Sequence, residues 1–526
     1  MKELPIGIQT FRDIIEGNYY YVDKTPFILK LAKGKYYFLS RPRRFGKSLF
    51  LDTIKEAFSG NKELFKGLYI YDKWDWNKKH PVIKIDFTEG NIRTSEDLKI
   101  KLTEMFISLQ REFNVEITFQ TFSGKLGELI YSLYKKYNQQ VVVLVHEYDK
   151  PILDAIENIE HAKENREILK DLYSALKKAD PYIKLAFLTG VSRFSKVSIF
   201  SELNQLRDIT LSPEFATICG YTQTDLETVF ADRIKDFDKE EVRKWYNGYS
   251  WLGEKVYNPF DILLLFAERR LRPYWFETGA PTFLIKLFKQ YNYYLPELEN
   301  LEVGEELLSN PDINSLYVEN LLFQTGYLTI KNVQRRLYRE VYTLSYPNYE
   351  AKVSLNNFFL LHFVPDRSLK DKTENELEKA LRGNQIEKLK NILHRFFASI
   401  PYDWYRKNNL ENYEGFYASI IYALFSGAGF ETVAENATNK GRIDLTVIYN
   451  NKVYIIEFKV VEDQPEKTAL KQIEEKKYYK KYLGKYEKVY LIGIEFSKKD
   501  RNIVDFQWKV IGKRLEEFIR KLKKQT

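Results

Sequence analysis

Asp444 and Glu457 flank a short polar break in a β-rich stretch, at a spacing that brings two carboxylates together. Gly441-Arg442-Ile443-Asp444-Leu445-Thr446-Val447-Ile448-Tyr449 precedes Asn450-Asn451, and Lys452-Val453-Tyr454-Ile455-Ile456-Glu457-Phe458-Lys459 follows. β-Branched and aromatic runs around a two-residue Asn-Asn break predict a tight hairpin. Tyr449 then pairs with Lys452, Ile448 with Val453, and Asp444 comes to face Glu457. Side chains alternate along a strand, so Lys459 shares the face of Glu457. Facing carboxylates repel, and a hard divalent cation such as Mg²⁺ or Mn²⁺ turns that repulsion into a ligand set. Asp444, Glu457 and the Phe458 carbonyl are the expected oxygen donors. A cation there lowers the pKa of a bound water and counters charge on a phosphate, with Lys459 orienting the water or stabilising the transition state. The chemistry this implies is metal-assisted cleavage of phosphodiester bonds in DNA or RNA.

The elements that must position these groups can be read around the hairpin. Tyr413–Leu424 has a helical pattern and carries Glu414 near its start, a candidate third carboxylate. Ala469–Ile473 opens a second helix, and its Gln472 is a candidate for holding water or substrate. The last apolar strand is Lys488–Ile494. Lys476, Lys477, Lys480, Lys481, Lys485 and Lys488 interleave with Tyr478, Tyr479, Tyr482 and Tyr486. That pattern suits phosphate contact and base stacking, or equally a solvated helix face. The basic Lys513–Lys524 segment reads as a helix face.

A second chemical motif lies near the N-terminus. Tyr36–Leu39 reads as a strand, followed by Ser40-Arg41-Pro42-Arg43-Arg44-Phe45-Gly46-Lys47-Ser48 and a helix from about Leu49. Strand, glycine-lysine-serine loop and helix is the setting of a phosphate-binding loop. Lys47 would reach the β/γ-phosphates of ATP, Ser48 would ligate Mg²⁺, and Arg43, Arg44 and Gly46 would line the phosphates. Arg41 stands where this loop type has its first glycine; the other reading is a basic loop that contacts nucleic acid, or a solvated charge run. Val141–Val145 runs into His146-Glu147-Tyr148-Asp149-Lys150-Pro151, in the form of the strand that ends in a Mg²⁺-holding Asp. Here that place is His146, and imidazole is a poor ligand for Mg²⁺. Glu147 is still placed to polarise a water. The expectation is an ATP site that turns over slowly or not at all. Ile183–Leu188 runs into Thr189-Gly190-Val191-Ser192-Arg193, where Ser192 or Arg193 could sense the γ-phosphate.

The 526 residues are enough for about three domains, and 44% hydrophobic with 29% charged residues describes a globular chain. A net charge of +9 and a pI near 8.9 permit nucleic-acid binding. One cysteine, Cys219, excludes an internal disulfide framework and a cysteine-rich zinc site. No apolar run reaches the length of a membrane span, no secretory signal is visible, and a cytoplasmic setting follows. Low Cys and Met with many Lys and Glu suggest a thermophilic source. The expected fold class is α/β. Residues 1–215 form a parallel-sheet ATPase-like domain, with strands at Tyr36–Leu39, Val82–Phe87, Val141–Val145 and Ile183–Leu188. Residues 216–345 form a mostly helical, lid- or winged-helix-like region, with a turn at Asn247-Gly248 and a hairpin from Gly326–Val333 and Val341–Tyr346. Its aromatics, among them Tyr246, Trp251, Tyr257, Tyr274, Trp275 and Phe276, read as core. Residues 346–400 form a helical linker, with a charged stretch at Asp366–Glu378, and 401–526 form the second α/β domain.

Taken together these segments resemble bacterial and archaeal proteins that join an AAA-ATPase-like domain to a PD-(D/E)XK nuclease domain. The resemblance rests on Leu4-Pro5-Ile6-Gly7-Ile8-Gln9-Thr10-Phe11, Tyr21-Val22-Asp23-Lys24-Thr25, Arg43-Arg44-Phe45-Gly46-Lys47-Ser48 and Glu147-Tyr148-Asp149-Lys150-Pro151. Thr189-Gly190-Val191-Ser192-Arg193-Phe194-Ser195, Trp245-Tyr246-Asn247-Gly248-Tyr249, Gly441-Arg442-Ile443-Asp444 and Ile456-Glu457-Phe458-Lys459 complete it. It implies a P-loop domain fused to a restriction-endonuclease-like domain, with nucleic acid as partner and self-association through the ATPase-like part. Defence against foreign nucleic acid is one setting for such a fusion. The competing class is a nucleotide-switched binding or signalling protein that grips nucleic acid without cutting it.

Overall fold

The computed structural model describes the chain except residues 194–198, 201–202, 204, 276–293, 310–316, 365, 401–413, 439–440 and 513–526. It divides into two compact units, one of Met1–Thr278 with Glu302–Tyr349, the other of Gly279–Leu301 with Glu350–Thr526. The basic Lys513–Lys524 segment, Phe194-Ser195 and Phe276 lie outside the described residues.

The first unit is built on a five-stranded sheet of β1 (Tyr36–Ser40), β2 (Val82–Asp86), β3 (Val141–His146), β4 (Ile183–Gly190) and β5 (Arg207–Asp208). The order is β2-β3-β4-β1-β5 and every pairing is parallel. β1 and β3 are buried along their whole length. Both faces of a parallel sheet are covered by crossover helices, which is why these strands read as unbroken apolar runs. Helices Ser95–Phe113, Phe122–Tyr137 and Ile159–Lys178 provide the cover. Thr94, Thr121 and Asn158 cap them, each accepting from first-turn amides.

The aromatic middle packs as expected. Tyr246, Trp251, Tyr257, Tyr274 and Trp275 are all buried. The turn expected at Asn247-Gly248 is instead a strand, β6 (Asn247–Tyr249), which pairs antiparallel with β7 (Val256–Tyr257). Glycine is needed there for close approach and not for reversal of the chain. Gly248 has φ +137, and a Cβ on it would lie 1.9 Å from the Pro347 carbonyl oxygen. Further along, β8 (Leu301–Gly304), β9 (Thr329–Arg336) and β10 (Arg339–Ser345) form a small sheet, with β9 and β10 as the expected hairpin.

In the second unit the charged Asp366–Glu378 stretch is no linker. It lies largely within the helix Arg367–Arg382, which buries Thr373, Leu377, Ala380 and Leu381 together with Lys370, whose ammonium pairs with Glu374 at 2.8 Å. The unit's sheet has the order β11 (Glu431–Thr438), β12 (Gly441–Tyr449), β13 (Lys452–Val461), β14 (Lys488–Ser497), β15 (Asn502–Gly512). Only the β13–β14 pair is parallel, and the helix Thr468–Lys476 makes its crossover. The strand expected to be last, β14, is followed by β15. Ile443, Val453, Ile455, Val489 and Leu491 pack with Ile473, Tyr478 and Tyr482. Tyr417 of the helix Glu414–Gly427 stacks on Phe496 of β14 at 4.2 Å.

Gly248→Ala is expected to destabilise the protein by about 3 kcal/mol or more, because a backbone carbonyl blocks the methyl and φ is unfavourable. Thermal or denaturant unfolding of the full chain measures this. Unchanged stability would show that the Pro347 backbone yields freely.

Candidate functional site

The β12–β13 hairpin has the register its Asn-Asn turn demands. Tyr449 pairs with Lys452, and the ladder runs to Leu445 opposite Ile456. Asn450 and Asn451 both take left-handed backbone angles, φ 47 and φ 58, which suit a two-residue hairpin turn. One step past the ladder's end stand Asp444 and Glu457, and the charge of Asp444 acts on the Glu457 carboxyl. The Asp444 carboxylate accepts the Phe458 N–H at 2.9 Å. Glu457 has no exposed surface, and its Oε2 has no hydrogen-bond partner among the described residues. Its Oε1 accepts from Gln472 Nε2. Burial first, then the charge of Asp444, raises the Glu457 carboxyl to about 8, against an opposing pull from Lys459.

Two features hold Gln472 in place. Glu457 pairs with Gly493 on β14, where a Cβ would lie 2.3 Å from the Leu470 backbone nitrogen. The missing side chain lets the Thr468–Lys476 helix settle onto the sheet within reach of Glu457. Glu495, fully buried on β14, anchors the start of that helix. It accepts from the Glu466, Lys467 and Thr468 amides at 2.7, 3.0 and 2.6 Å, and from the Ala469 amide at 3.4 Å. Burial would raise the Glu495 carboxyl, but these backbone donors hold it below its ordinary value. Sequence reading missed Glu495; the available signal was a lone acid inside the apolar run Leu491–Phe496.

Lys459 Nζ lies 3.4 Å from Glu414 Oε1, so the expected third carboxylate stands beside the lysine. Tyr478 and Tyr482, read as a stacking surface, are core residues at 3% and 5% exposure. The neighbouring lysines 476, 477, 480, 481 and 485 are exposed. Burial, then the charges of Glu457 and Asp444, raise the Tyr478 phenol, so its ring is part of the carboxylates' surroundings. Among the described residues no group of three His, Cys, Asp or Glu side chains is arranged to hold a metal. A divalent cation here would rest on two carboxylates, completed by the Phe458 carbonyl and water. The unpartnered buried oxygen of Glu457 and the repulsion from Asp444 fit that charge.

In the first unit the loop after β1 borders a cavity of about 510 Å³ lined by Arg43, Arg44, Gly46, Lys47, Ser48 and Glu147. Gly46 has φ 91 and leads into the helix Lys47–Phe58. Arg41 is not a nucleic-acid contact. It is fully buried, donates to the Ser40, Thr210 and Phe215 carbonyls at 2.8, 2.9 and 3.2 Å, and lies 4.1 Å over the Trp251 ring. Phe45 meets Tyr249 and Trp251 edge-on at 4.8 and 5.4 Å. The aromatic middle is therefore the floor on which the loop rests. Lys47 donates to the Arg41 and Pro42 carbonyls and lies 3.1 Å from Glu147 Oε1. Glu147 reaches it from a left-handed backbone, φ 56. Ser48 Oγ shares a hydrogen bond with His146 Nε2 at 3.2 Å. Ser192 is not among the residues lining the cavity; its amide and hydroxyl both donate to Asp149 Oδ2 at 2.6 Å. Burial, then Glu147, raises Asp149 to about 6. Arg193 pairs with Asp208 at 2.7 Å.

Residues 5–200 match a family model described as "Predicted AAA-ATPase", and residues 412–506 match the PD-(D/E)XK nuclease superfamily. A protein of Azotobacter chroococcum mcd 1, "Uncharacterized protein in vnfD 5'region", is 48% identical over 513 residues, 97% of this chain and 99% of the relative. The chain belongs to the family that joins an AAA-ATPase-like domain to a PD-(D/E)XK nuclease domain. The nuclease domain encloses Asp444, Glu457, Lys459, Gln472 and Glu495. The ATPase-like domain encloses the loop at Arg41–Ser48 and the β3 end at His146-Glu147. No helix among the described residues is long and apolar enough to cross a membrane.

Glu457 makes the nuclease domain pH-sensitive. The folded carboxyl holds its proton to about pH 8, whereas an unfolded one releases it near 4.5. Between these values unfolding releases a proton, so without metal this group lowers stability as pH rises, and above about 8 the penalty is constant. Glu457→Gln is expected to raise stability in EDTA at pH 8 by roughly 1–3 kcal/mol, and to abolish stabilisation by Mn²⁺. Melting temperatures at pH 5 and pH 8, with and without Mn²⁺, check both. Identical responses of variant and wild type would remove Glu457 from the metal site.

Proposed function

We propose that this protein is a divalent-metal-dependent nuclease that hydrolyses phosphodiester bonds of DNA or RNA, and that its ATPase-like domain binds ATP as a regulator. The observation that carries this reading is the buried Glu457, raised by burial and by the charge of Asp444, with one carboxylate oxygen that has no hydrogen-bond partner among the described residues. Asp444, Glu457 and the Phe458 carbonyl would hold Mg²⁺ or Mn²⁺. When bound, that cation supplies an acidified water and counter-charge for the scissile phosphate. Gln472 keeps Glu457 in one orientation through its amide hydrogen bond. Lys459 orients the attacking water or donates to the phosphate as negative charge builds in the transition state, and Glu414 steers the ammonium. The exposed lysines 476, 477, 480, 481 and 485 offer phosphate contacts that are independent of base sequence. Foreign nucleic acid is one substrate such an enzyme would meet.

At the nucleotide cavity, the loop amides, Arg43, Arg44 and Lys47 would receive the phosphates, and Glu147 lies behind Lys47. A divisional scheme of 1–215, 216–345, 346–400 and 401–526 remains our proposal for how the chain is organised.

Cleavage of single- and double-stranded DNA and RNA, assayed with Mg²⁺ or Mn²⁺ and with or without ATP, tests the whole reading. Asp444→Asn and Lys459→Ala are each expected to lower the rate by about 100-fold or more while nucleic-acid binding persists. Binding without cleavage by the wild type on every substrate would favour the nucleotide-switched binding protein.

A further inference from the structure

The end of β3 is unlike the cation-holding end of a nucleotide site. A P-loop site grips Mg²⁺ with the loop Ser/Thr hydroxyl and a strand-end carboxylate. Here the strand ends in His146, whose Nε2 is bonded to the Ser48 hydroxyl at 3.2 Å. Two carboxylates stand beside His146: Glu147, whose Oε1 lies 3.8 Å from Nε2, and Asp86, which pairs with His146 across β2 and β3. Asp86 is already engaged: its Oδ1 accepts the Thr88 amide and hydroxyl at 3.0 and 2.7 Å, and its Oδ2 lies 2.9 Å from Lys84 Nζ. His146 Nδ1 lies 3.4 Å from Asp86 Oδ1, so the imidazole also screens that carboxylate from the loop. Among the described residues Glu147 is the one carboxylate lining the cavity, and it is tied to Lys47. Mg²⁺ demands near-octahedral oxygen ligands, and this set does not provide the protein's share of them.

The countercharge is present in another form. Lys24, Arg43, Arg44, Lys47 and Lys150 all line the cavity. Lys24 and Lys150 are held by Asp225 and Asp154. Arg43 and Arg44 are exposed on the loop itself, with Arg44 lying 4.7 Å over the Phe260 ring at the cavity wall. Two guanidiniums beside Lys47 and the loop amides can counter a polyphosphate without a bridging ion.

We propose that this cavity binds a nucleoside triphosphate without a divalent cation, the loop arginines and Lys47 taking the place of Mg²⁺. The proposal rests on the nucleotide-binding reading above. A nucleotide held this way lacks the cation that bridges β- and γ-phosphates in hydrolysis, so it acts as a resident ligand whose presence is the signal.

Binding of ATP carrying a fluorescent N-methylanthraniloyl group to the full-length protein tests this, in EDTA and in millimolar Mg²⁺. The wild-type Kd is expected to agree within about threefold between the two conditions. His146→Asp restores the carboxylate, and its affinity is expected to fall in EDTA and recover at least tenfold on adding Mg²⁺. A wild-type Kd that rises tenfold or more when Mg²⁺ is removed, or binding that needs Mn²⁺, overturns the proposal while leaving the cavity a nucleotide site. Absence of binding in both conditions overturns the nucleotide reading itself, and this proposal with it. If His146→Asp fails to fold, the wild-type comparison alone decides.

Discussion

Glu457 is a carboxyl group with no exposed surface and a second carboxyl, Asp444, as its electrostatic neighbour. Low-dielectric surroundings magnify that repulsion, and a fold tolerates it only where the geometry is imposed from outside. Much of the second unit's local design imposes it. The Asn450-Asn451 turn sets the register, and the end of the β12–β13 ladder frees Asp444 to bond the Phe458 amide. Gly493 admits the crossover helix to the sheet, and Glu495 fastens its first turn. Gln472 then reaches Glu457 from that helix. Remove the glycine or the buried anchor and the amide no longer has a fixed place from which to hold the carboxylate.

The parts legible in the sequence were those set by short-range rules. The parallel strands of the first unit are buried on both faces, so Val141–Val145 showed as a plain apolar run. The hairpin showed because its turn and its alternation agree. What escaped was decided by tertiary neighbours. Asn247-Gly248 has the local signature of a turn, yet it pairs with β7 as strand, and the Pro347 carbonyl leaves no room there for a Cβ. Asp366–Glu378 has the charge of a linker, yet the same stretch turns Thr373 and Leu377 into a core. The β11 sequence, Glu431-Thr432-Val433-Ala434-Glu435-Asn436-Ala437-Thr438, has no strong strand pattern, so only its pairing with β12 marks it. Tyr478 and Tyr482 are indistinguishable from surface aromatics until the crossover helix turns them inward.

Arg41 shows how a departure from a motif can be structural. The glycine it replaces would leave room at the start of the loop. The guanidinium fills that room, donating to three backbone carbonyls and lying over Trp251. Desolvation lowers its pKa to about 10, still well above neutrality, so a charged group is buried on carbonyl oxygens. Such a side chain ties the loop to residues 210–215 and to the β6–β7 region. The Arg41–Ser48 loop is thereby held in position by the fold itself, which would lower the ordering cost of binding a ligand there.

The two halves of the chain solve the problem of concentrated charge in opposite senses. Around Glu457 the fold gathers negative charge and holds it with neutral or distant donors, which leaves an electrostatic need that a cation can meet. Around Lys47 it gathers positive charge, and the local carboxylates are already committed. Glu147 is drawn to Lys47 from a left-handed backbone that costs about 1–2 kcal/mol for a residue with a Cβ. Asp86 is closed off by Thr88, Lys84 and His146, and Asp149 by Ser192 and the Val191 amide. A site whose acids are all internally paired presents its arginines and backbone amides outward. Its natural complement is an anion, just as the natural complement of Asp444 and Glu457 is a hard cation, and the sign of the unmet charge separates the two sites more sharply than either motif does.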